Sequence, residues 1–227
     1  MEFITSHLPI LPELIVLVMS CVILLLAAFL KEMTYLSYII SQLTLLALIY
    51  VTVFIHNHSS SVIMLFDGSF VWDPIAVVMK LVTYITVFFS LMFIRLYNEE
   101  HDIPANEFYV LVLLSTLGMM VLISASSLLT LYLGLELVSL PIYAMVALKR
   151  AKERCLEAAM KYFVMGALAS GMLLYGFSLL FGISHSLNLS DISVALSSAL
   201  SSNSVLTLSA MIFVVAGVVF KLGAVPF

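Results

Sequence analysis

The sequence predicts an all-α polytopic membrane protein with about seven transmembrane helices. Hydrophobic residues make up 63% of the chain and charged residues 10%, whereas charged residues are roughly 25% of an ordinary soluble domain. Runs such as VVMKLVTYITVFFSLMF at 77–93 are apolar on every side. They lack the period-2 alternation of outer-membrane barrel strands, so the spans are expected to be helices.

Seven apolar runs have about the 20-residue length that crosses a bilayer. The predicted spans are 11–30, 34–55, 74–96, 108–124, 127–148, 156–182 and 205–226. The first run does not read as a signal peptide, because Glu2 and Glu13 occupy the place of a basic leading segment and no small-residue cleavage site follows. We therefore expect this run to stay in the mature chain.

Basic residues follow every second span. They lie at the ends of spans 1, 3 and 5 or in the loops that follow, and the loops after spans 2, 4 and 6 hold none. These residues are Lys31, Arg95, Lys149, Arg150, Lys152 and Arg154. The positive-inside rule then predicts an N-terminus outside and two cytoplasmic loops, LKEMT at 30–34 and LKRAKERC at 148–155.

The motifs of metal and cofactor chemistry are absent from the sequence. Cys21 and Cys155 lie in different spans without metal-ligand spacing, and we expect buried structural thiols. The five histidines have no partner at helical ligand spacing, and there is no GxGxxG or Walker sequence. No metal, haem, iron–sulfur or nucleotide site is predicted, and no nucleic-acid partner is expected.

Glu136 is the most unusual residue of the fifth span. It lies about 13–18 Å from either end of that span at 1.5 Å per residue, too far to reach an interface. Tyr132, Ser139 and Tyr143 follow the spacing of one helical face with it. The pattern fits a polar, hydrated face, and equally a structural glutamate that joins two helices by a hydrogen bond.

Two prolines mark places where a helix is predicted to break. Pro141 cannot donate to the carbonyl of Leu137, which leaves that oxygen free one residue from Glu136. Pro226 follows Lys221 by five residues, and broken helices at membrane depth line protein or a hydrated cavity. We therefore expect Lys221 to line a cavity, and Glu136 and Lys221 to face one another or to share it.

The remaining intramembrane lysines have simpler explanations. Lys161 is close to the end of its span and has Glu157 at i−4, so an interfacial ion pair is about as plausible as a role in the path. Lys80 follows Asp73 by two helical turns, which favours an ion pair between these two. The small residues of GALASG at 166–171 predict close helix packing.

Four segments carry a resemblance to the antiporter-like membrane subunits of respiratory complex I. They are LPE at 11–13, LYLGLELVSLPIY at 131–143, EAAMKYFVMGALASGMLLYG at 157–176 and FKLGAVPF at 220–227. The resemblance implies a fold of about fourteen helices with two inverted five-helix repeats. Residues 1–104 would then form three leading helices and residues 105–227 four helices of the first repeat, so the chain is expected to be a truncated first half.

The resemblance also implies a function. Glu136 and Lys221 would form the family's coupled charge pair on a proton path, and Lys161 would tune or extend that path. Lys80 and Glu13 match no family role. Quinone, NADH, flavin and iron–sulfur clusters are expected on other subunits, and the partners would be other membrane subunits of complex I and the lipid bilayer. The location implied is a bacterial inner membrane, rather than the mitochondrial inner membrane.

Two alternatives remain open. A subunit of an Mrp-type cation/proton antiporter would use the same fold and the same glutamate and lysine positions. A purely structural membrane scaffold would keep its ion pairs fixed. Lys221 beside a predicted helix break argues against the scaffold, and the missing half of the fold argues for it.

Overall fold

The computed structural model describes residues 8–29, 34–58, 62–100, 103–202 and 204–224. Over these residues the chain forms eight α-helices and one two-stranded hairpin. The helices are α1 (Leu11–Phe29), α2 (Thr34–His58), α3 (Pro74–Glu100), α4 (Ala105–Ile123), α5 (Leu128–Val146), α6 (Glu153–Ser184), α7 (Leu189–Ser202) and α8 (Ser204–Lys221), and the strands are β1 (Ile63–Leu65) and β2 (Phe70–Trp72). A 3-10 turn, Leu8–Ile10, leads into α1.

The helices confirm the predicted membrane class. Helices α1 to α6 are long and apolar enough to cross a bilayer, whereas the apolar part of α8, Val205–Lys221, is shorter. Their large apolar side chains, Leu25 and Phe93 among them, point away from the protein. In water such a surface would be unfavourable, but lipid chains solvate it.

Two elements were not predicted from the sequence. Antiparallel β1 and β2 pair between α2 and α3, with Met64 opposite Val71. The turn between them contains Asp67 and Gly68, both with positive φ, as the tight turns of hairpins require. The other unpredicted element is α7, which begins at Leu189 in the stretch read from sequence as a loop.

One apolar core joins the three leading helices to α4. Val16 of α1, Leu45 of α2, Leu91 of α3 and Leu113 of α4 belong to the same buried cluster. A separate cluster lies among α5, α6, α7 and α8 and includes Leu173. The predicted domain boundary near residue 104 therefore crosses a shared core, and the division itself stays a prediction.

The connector between α4 and α5, residues 124–127, joins the hairpin to the segment before α7. The Val71 amide donates to the Ser124 carbonyl at 2.9 Å, and Leu128, the first residue of α5, donates its amide to the Leu187 carbonyl at 2.9 Å. The connector also starts α5, because the Ser127 side chain accepts a hydrogen bond from the Thr130 amide at 3.2 Å. This N-cap fixes where the helix that carries Glu136 begins.

Candidate functional site

Glu136 and Lys221 meet inside the helical bundle. The Lys221 Nζ atom lies 2.8 Å from Glu136 Oε1, and 7% of the Lys221 side chain and 21% of the Glu136 side chain are exposed. Lys221 also donates to Ser139 Oγ at 3.0 Å. The prediction that the two charged residues face one another is confirmed, and the pair joins α5 to the end of α8.

A third helix contributes Ser170 to the same carboxylate. Its hydroxyl donates to Glu136 Oε1 at 2.5 Å, so one oxygen accepts hydrogen bonds from both α6 and α8. This role of Ser170 was not predicted from the sequence, where the GALASG segment indicated close helix packing alone. A signal was present, because Ser170 shares a face with Gly166 at small-xxx-small spacing.

Packing of α6 on α5 follows the predicted small-residue face in part. A side chain at Gly166 would overlap the Tyr143 hydroxyl group, so glycine here leaves room for the Tyr143 ring against α6. Gly171 of the same GALASG segment does not act in this way, because a side chain added there would meet no atom of the described chain within 4 Å.

The end of α8 positions Lys221. The Gly223 amide donates to the Phe220 carbonyl at 2.9 Å and the Ala224 amide to the Val219 carbonyl at 3.1 Å, and Gly223 has a φ of 68°. This is the Schellman arrangement that terminates helices. Lys221 therefore occupies the last turn, where the negative end of the helix dipole favours a cation. The predicted break at Pro226 lies outside the described residues.

Close packing of α6 and α8 brings the lysine to the carboxylate. A side chain at Gly217, one turn before Lys221, would meet Leu173 and Ala169 of α6. A side chain at Gly176 of α6 would meet the backbone of Val214 on α8. The two glycines thus face opposite helices and allow both backbones to approach, as in small-residue interfaces of membrane proteins.

The other polar residues predicted on this face of α5 lie around the ion pair of Glu136 and Lys221, but they do not bond to the Glu136 carboxylate as Lys221 and Ser170 do. Tyr132 packs against the apolar cluster that contains Leu173. Tyr143 is buried and packs edge-to-face on Tyr162, with ring centroids 4.7 Å apart. Both tyrosines extend the polar face of α5, and Ser139 is the member that bonds directly to Lys221.

The prediction of a helix break at Pro141 is wrong. Helix α5 runs without interruption from Leu128 to Val146 with Pro141 inside it. Proline removes one backbone hydrogen bond, to the carbonyl of Leu137, and the bonds on either side hold the helix together. The helix therefore keeps Ser139, before the proline, and Tyr143, after it, in one helical register with Glu136.

Lys161 is not part of the contact between Glu136 and Lys221. Its Nζ atom lies 2.6 Å from Glu157 Oε1, and the two side chains are 74% and 64% exposed. Along α6 it lies nine residues from Ser170, about 13.5 Å at 1.5 Å per residue. The in-helix ion pair is confirmed, and the role in extending a proton path stays a prediction.

The prediction that Lys80 forms an ion pair with Asp73 is wrong. Lys80 Nζ lies 2.6 Å from Glu13 Oε1 of α1, and Asp73 Oδ1 instead accepts a hydrogen bond from the Ala76 amide at 2.6 Å. Asp73 precedes the first residue of α3, where a carboxylate can cap free backbone amides. The sequence spacing along α3 could not reveal a partner on another helix.

The expectation of two buried thiols was also wrong. Cys21 is exposed on α1 and Cys155 is half-buried. Cys21 lies on the outward apolar surface of α1, where a thiol behaves as a small apolar group. Within the described ranges, no three histidine, cysteine, aspartate or glutamate side chains come together as a metal site would require.

Comparison with known proteins identifies a related family and individual relatives. Residues 125–227 match the family NADH:quinone oxidoreductase/Mrp antiporter, TM. NADH-quinone oxidoreductase subunit N of Coxiella burnetii is 48% identical over 98% of this chain, which covers 46% of that relative. Residues 125–227 therefore form the membrane domain that defines this family. Subunit N of Methylovorus glucosotrophus is 47% identical over 96% of this chain and 45% of its own length.

Solved structures of antiporter-like proteins share the fold. A chain of respiratory complex I from Thermus thermophilus with bound aureothin has a TM-score of 0.73 at 27% identity, over 95% of this chain and 45% of that one. A chain of the Mrp complex from Dietzia has a TM-score of 0.71 at 20% identity, over 98% of this chain and 42% of its own. This chain spans about half the length of the curated relatives it matches.

Proposed function

We propose that this chain is part of a proton-translocating membrane subunit of an NADH–quinone oxidoreductase, most similar to subunit N. The observation that carries the proposal is the half-buried carboxylate of Glu136, which accepts hydrogen bonds from Lys221 and Ser170 of two other helices. Ionisable groups inside a membrane are costly and mark ion pathways. The curated relatives named subunit N support the same function.

The pair can act as an electrostatic switch. A nearby carboxylate favours the charged form of a lysine, and burial disfavours both charges. If Lys221 moves away from Glu136, its ammonium group loses this stabilisation and releases a proton more readily. If it returns, it takes up a proton again. A change of separation therefore converts a conformational change into proton movement.

The energy would come from outside this chain. We propose that quinone reduction in other subunits drives the change, and that NADH, flavin, iron–sulfur clusters and quinone are bound there. The partners would be other membrane subunits of complex I. The chain would lie in a bacterial inner membrane with its N-terminus outside, an orientation supported by the basic residues at 149–154.

The Mrp-type antiporter is the second candidate, since the Dietzia Mrp chain has the same fold. Sequence identity favours the complex I function, because it is 48% with a subunit N and 20% with that Mrp chain. Removing one member of a buried ion pair costs about 3–5 kcal/mol, but replacing both members by apolar residues is often neutral or stabilising. A structural scaffold would therefore gain little stability from keeping such a pair, and this disfavours the scaffold.

Mutation of Glu136 in the full-length protein within its complex tests the proposal. Glu136→Ala should lower the number of protons moved per electron in proteoliposomes supplied with NADH and quinone, while the complex still assembles. Glu136→Asp should have a smaller effect because it keeps the carboxylate. Glu107→Ala is the control, since Glu107 forms a solvent-exposed pair with Arg150 at 3.0 Å.

Equal proton yields in the Glu136 variants, the control and the wild type would contradict a relay at this pair. The same vesicles separate the two transport functions. Sodium–proton exchange under an imposed sodium gradient, without NADH, would support the Mrp-type function instead. Proton uptake that starts only when NADH and quinone are added would support the complex I function.

A further inference from the structure

A second buried ion pair lies among the leading helices and the hairpin. Lys80 of α3 and Glu13 of α1 are bonded at 2.6 Å, and 0% and 7% of their side chains are exposed. The Lys80 ammonium group also lies 4.9 Å from the centre of the Phe70 ring and 4.8 Å from that of Trp72. Both rings belong to β2, so the hairpin covers the cation through cation–π contacts.

This second site shares no residue with the Glu136 site. Glu136, Lys221 and Ser170 lie on α5, α8 and α6. Glu13 and Lys80 lie on α1 and α3, and the motifs that relate the chain to its family assign them no role. A buried charge pair is stable only when its remaining hydrogen-bonding groups also have partners.

Several polar atoms around the pair lack such partners in the protein. Glu13 Oε2 and Trp72 Nε1 are buried and have no hydrogen-bond partner within the described part of the chain, and the hydroxyl groups of Tyr84 and Thr52, also buried, have at most each other. They belong to one cluster: Tyr84 is one turn after Lys80 on α3, and it interacts electrostatically with Glu13 and lies beside Thr52. The Trp72 ring contacts Lys80.

Two unpaired atoms and two hydroxyl groups with unused hydrogen-bonding capacity at one charged site point to a polar ligand. Buried polar groups in folded proteins almost always bond to protein or to ordered water. These four include acceptors, a donor and hydroxyl groups that can do either. An internal water molecule makes about three hydrogen bonds and suits such a mixture, whereas apolar cavities stay dry.

We propose that Glu13, Lys80, Thr52, Trp72 and Tyr84 form a binding site for internal water. Water accepts from Trp72 Nε1, donates to Glu13 Oε2 and bonds to the hydroxyl groups of Tyr84 and Thr52. The hydrated ion pair keeps both charges within the bundle of leading helices, and the aromatic side chains of the hairpin cover it. This inference is independent of proton transport at Glu136.

Radiolytic footprinting in ¹⁸O-labelled water tests the site in the full-length protein within its complex. Hydroxyl radicals formed from bound water oxidise the side chains beside it, whether or not bulk solvent reaches them. Trp72 and Tyr84 should take up label at least about tenfold faster than Phe177, which is also buried but lies in an apolar cluster. Labelling of Trp72 and Tyr84 as slow as that of Phe177 would overturn the proposal.

Two variants link the labelling to the ion pair. Glu13→Leu combined with Lys80→Met replaces both charges by apolar groups, and the rate at Trp72 should fall to that of Phe177. An unchanged labelling rate at Trp72 would show that the water comes from outside the proposed site, and this would overturn the proposal. Tyr84→Phe preserves the shape and removes one hydroxyl group, so it should slow labelling of Trp72 at least twofold even if the double variant does not fold. No change in this variant would also overturn the proposal.

Discussion

Ser170→Ala tests whether the hydrogen bond between α6 and Glu136 stabilises the fold. Ser170 is 6% exposed, and its hydroxyl donates to Glu136 Oε1. A hydrogen bond to a charged group contributes about 1.5–3 kcal/mol. The substitution leaves no large cavity, because it removes one oxygen atom. We therefore expect the unfolding equilibrium constant to rise roughly 10- to 150-fold, since 1.4 kcal/mol is a factor of ten.

Unfolding of the purified full-length protein by SDS in mixed micelles would measure this change. Ser178→Ala is the matched control, because Ser178 is an exposed serine on the same helix, and it should change stability by less than about 0.5 kcal/mol. A double-mutant cycle with Glu136→Gln should give a coupling energy above about 0.5 kcal/mol. Equal stability of the two serine variants, together with no coupling, would refute the reasoning.

Three further substitutions test other contacts. Gly217→Val should destabilise the protein by about 1–3 kcal/mol, because the new side chain would meet Leu173 of α6. A cysteine cross-link between α6 and α8 should also form more slowly in this variant. Unchanged cross-linking would contradict the close packing. Ser127→Ala should cost about 0.5–2 kcal/mol by removing the N-cap of α5, measured by SDS unfolding, and a cost below 0.2 kcal/mol would argue against the cap. Glu157→Gln should change stability by at most about 0.5 kcal/mol, because its pair with Lys161 is exposed, and a larger loss in the same assay would indicate a buried role.

Composition and span length were enough to predict the membrane class, because lipid imposes the same requirement on every spanning helix. They also showed that Glu136 could not reach an interface. Its pairing with Lys221 followed from the resemblance and from the cost of leaving two such charges apart in lipid. The ion pair of Lys161 with Glu157 could be predicted because both residues are on one helix.

Contacts between distant segments could not be predicted in the same way. Helical spacing places Lys80 near Asp73, but it contains no information on which face of α1 packs against α3, and so Glu13 was missed as the partner. Ser170 was interpreted as a packing residue for the same reason. The hairpin escaped detection because strands of three residues are too short to show a clear alternation.

Ser126 of the connector has a consequence for biosynthesis. Its amide donates to the Ser69 carbonyl at 3.1 Å, and its carbonyl accepts from the Leu189 amide at 3.2 Å. This one segment thus bonds to one partner that is synthesised earlier and to another that is synthesised later. Until α6 has been inserted and residue 189 has left the ribosome, the carbonyl needs another donor, because an unpaired backbone group is unstable in lipid. The connector must therefore stay in contact with water throughout insertion, and a substitution that drew it into the bilayer would impair biogenesis before it affected any finished protein.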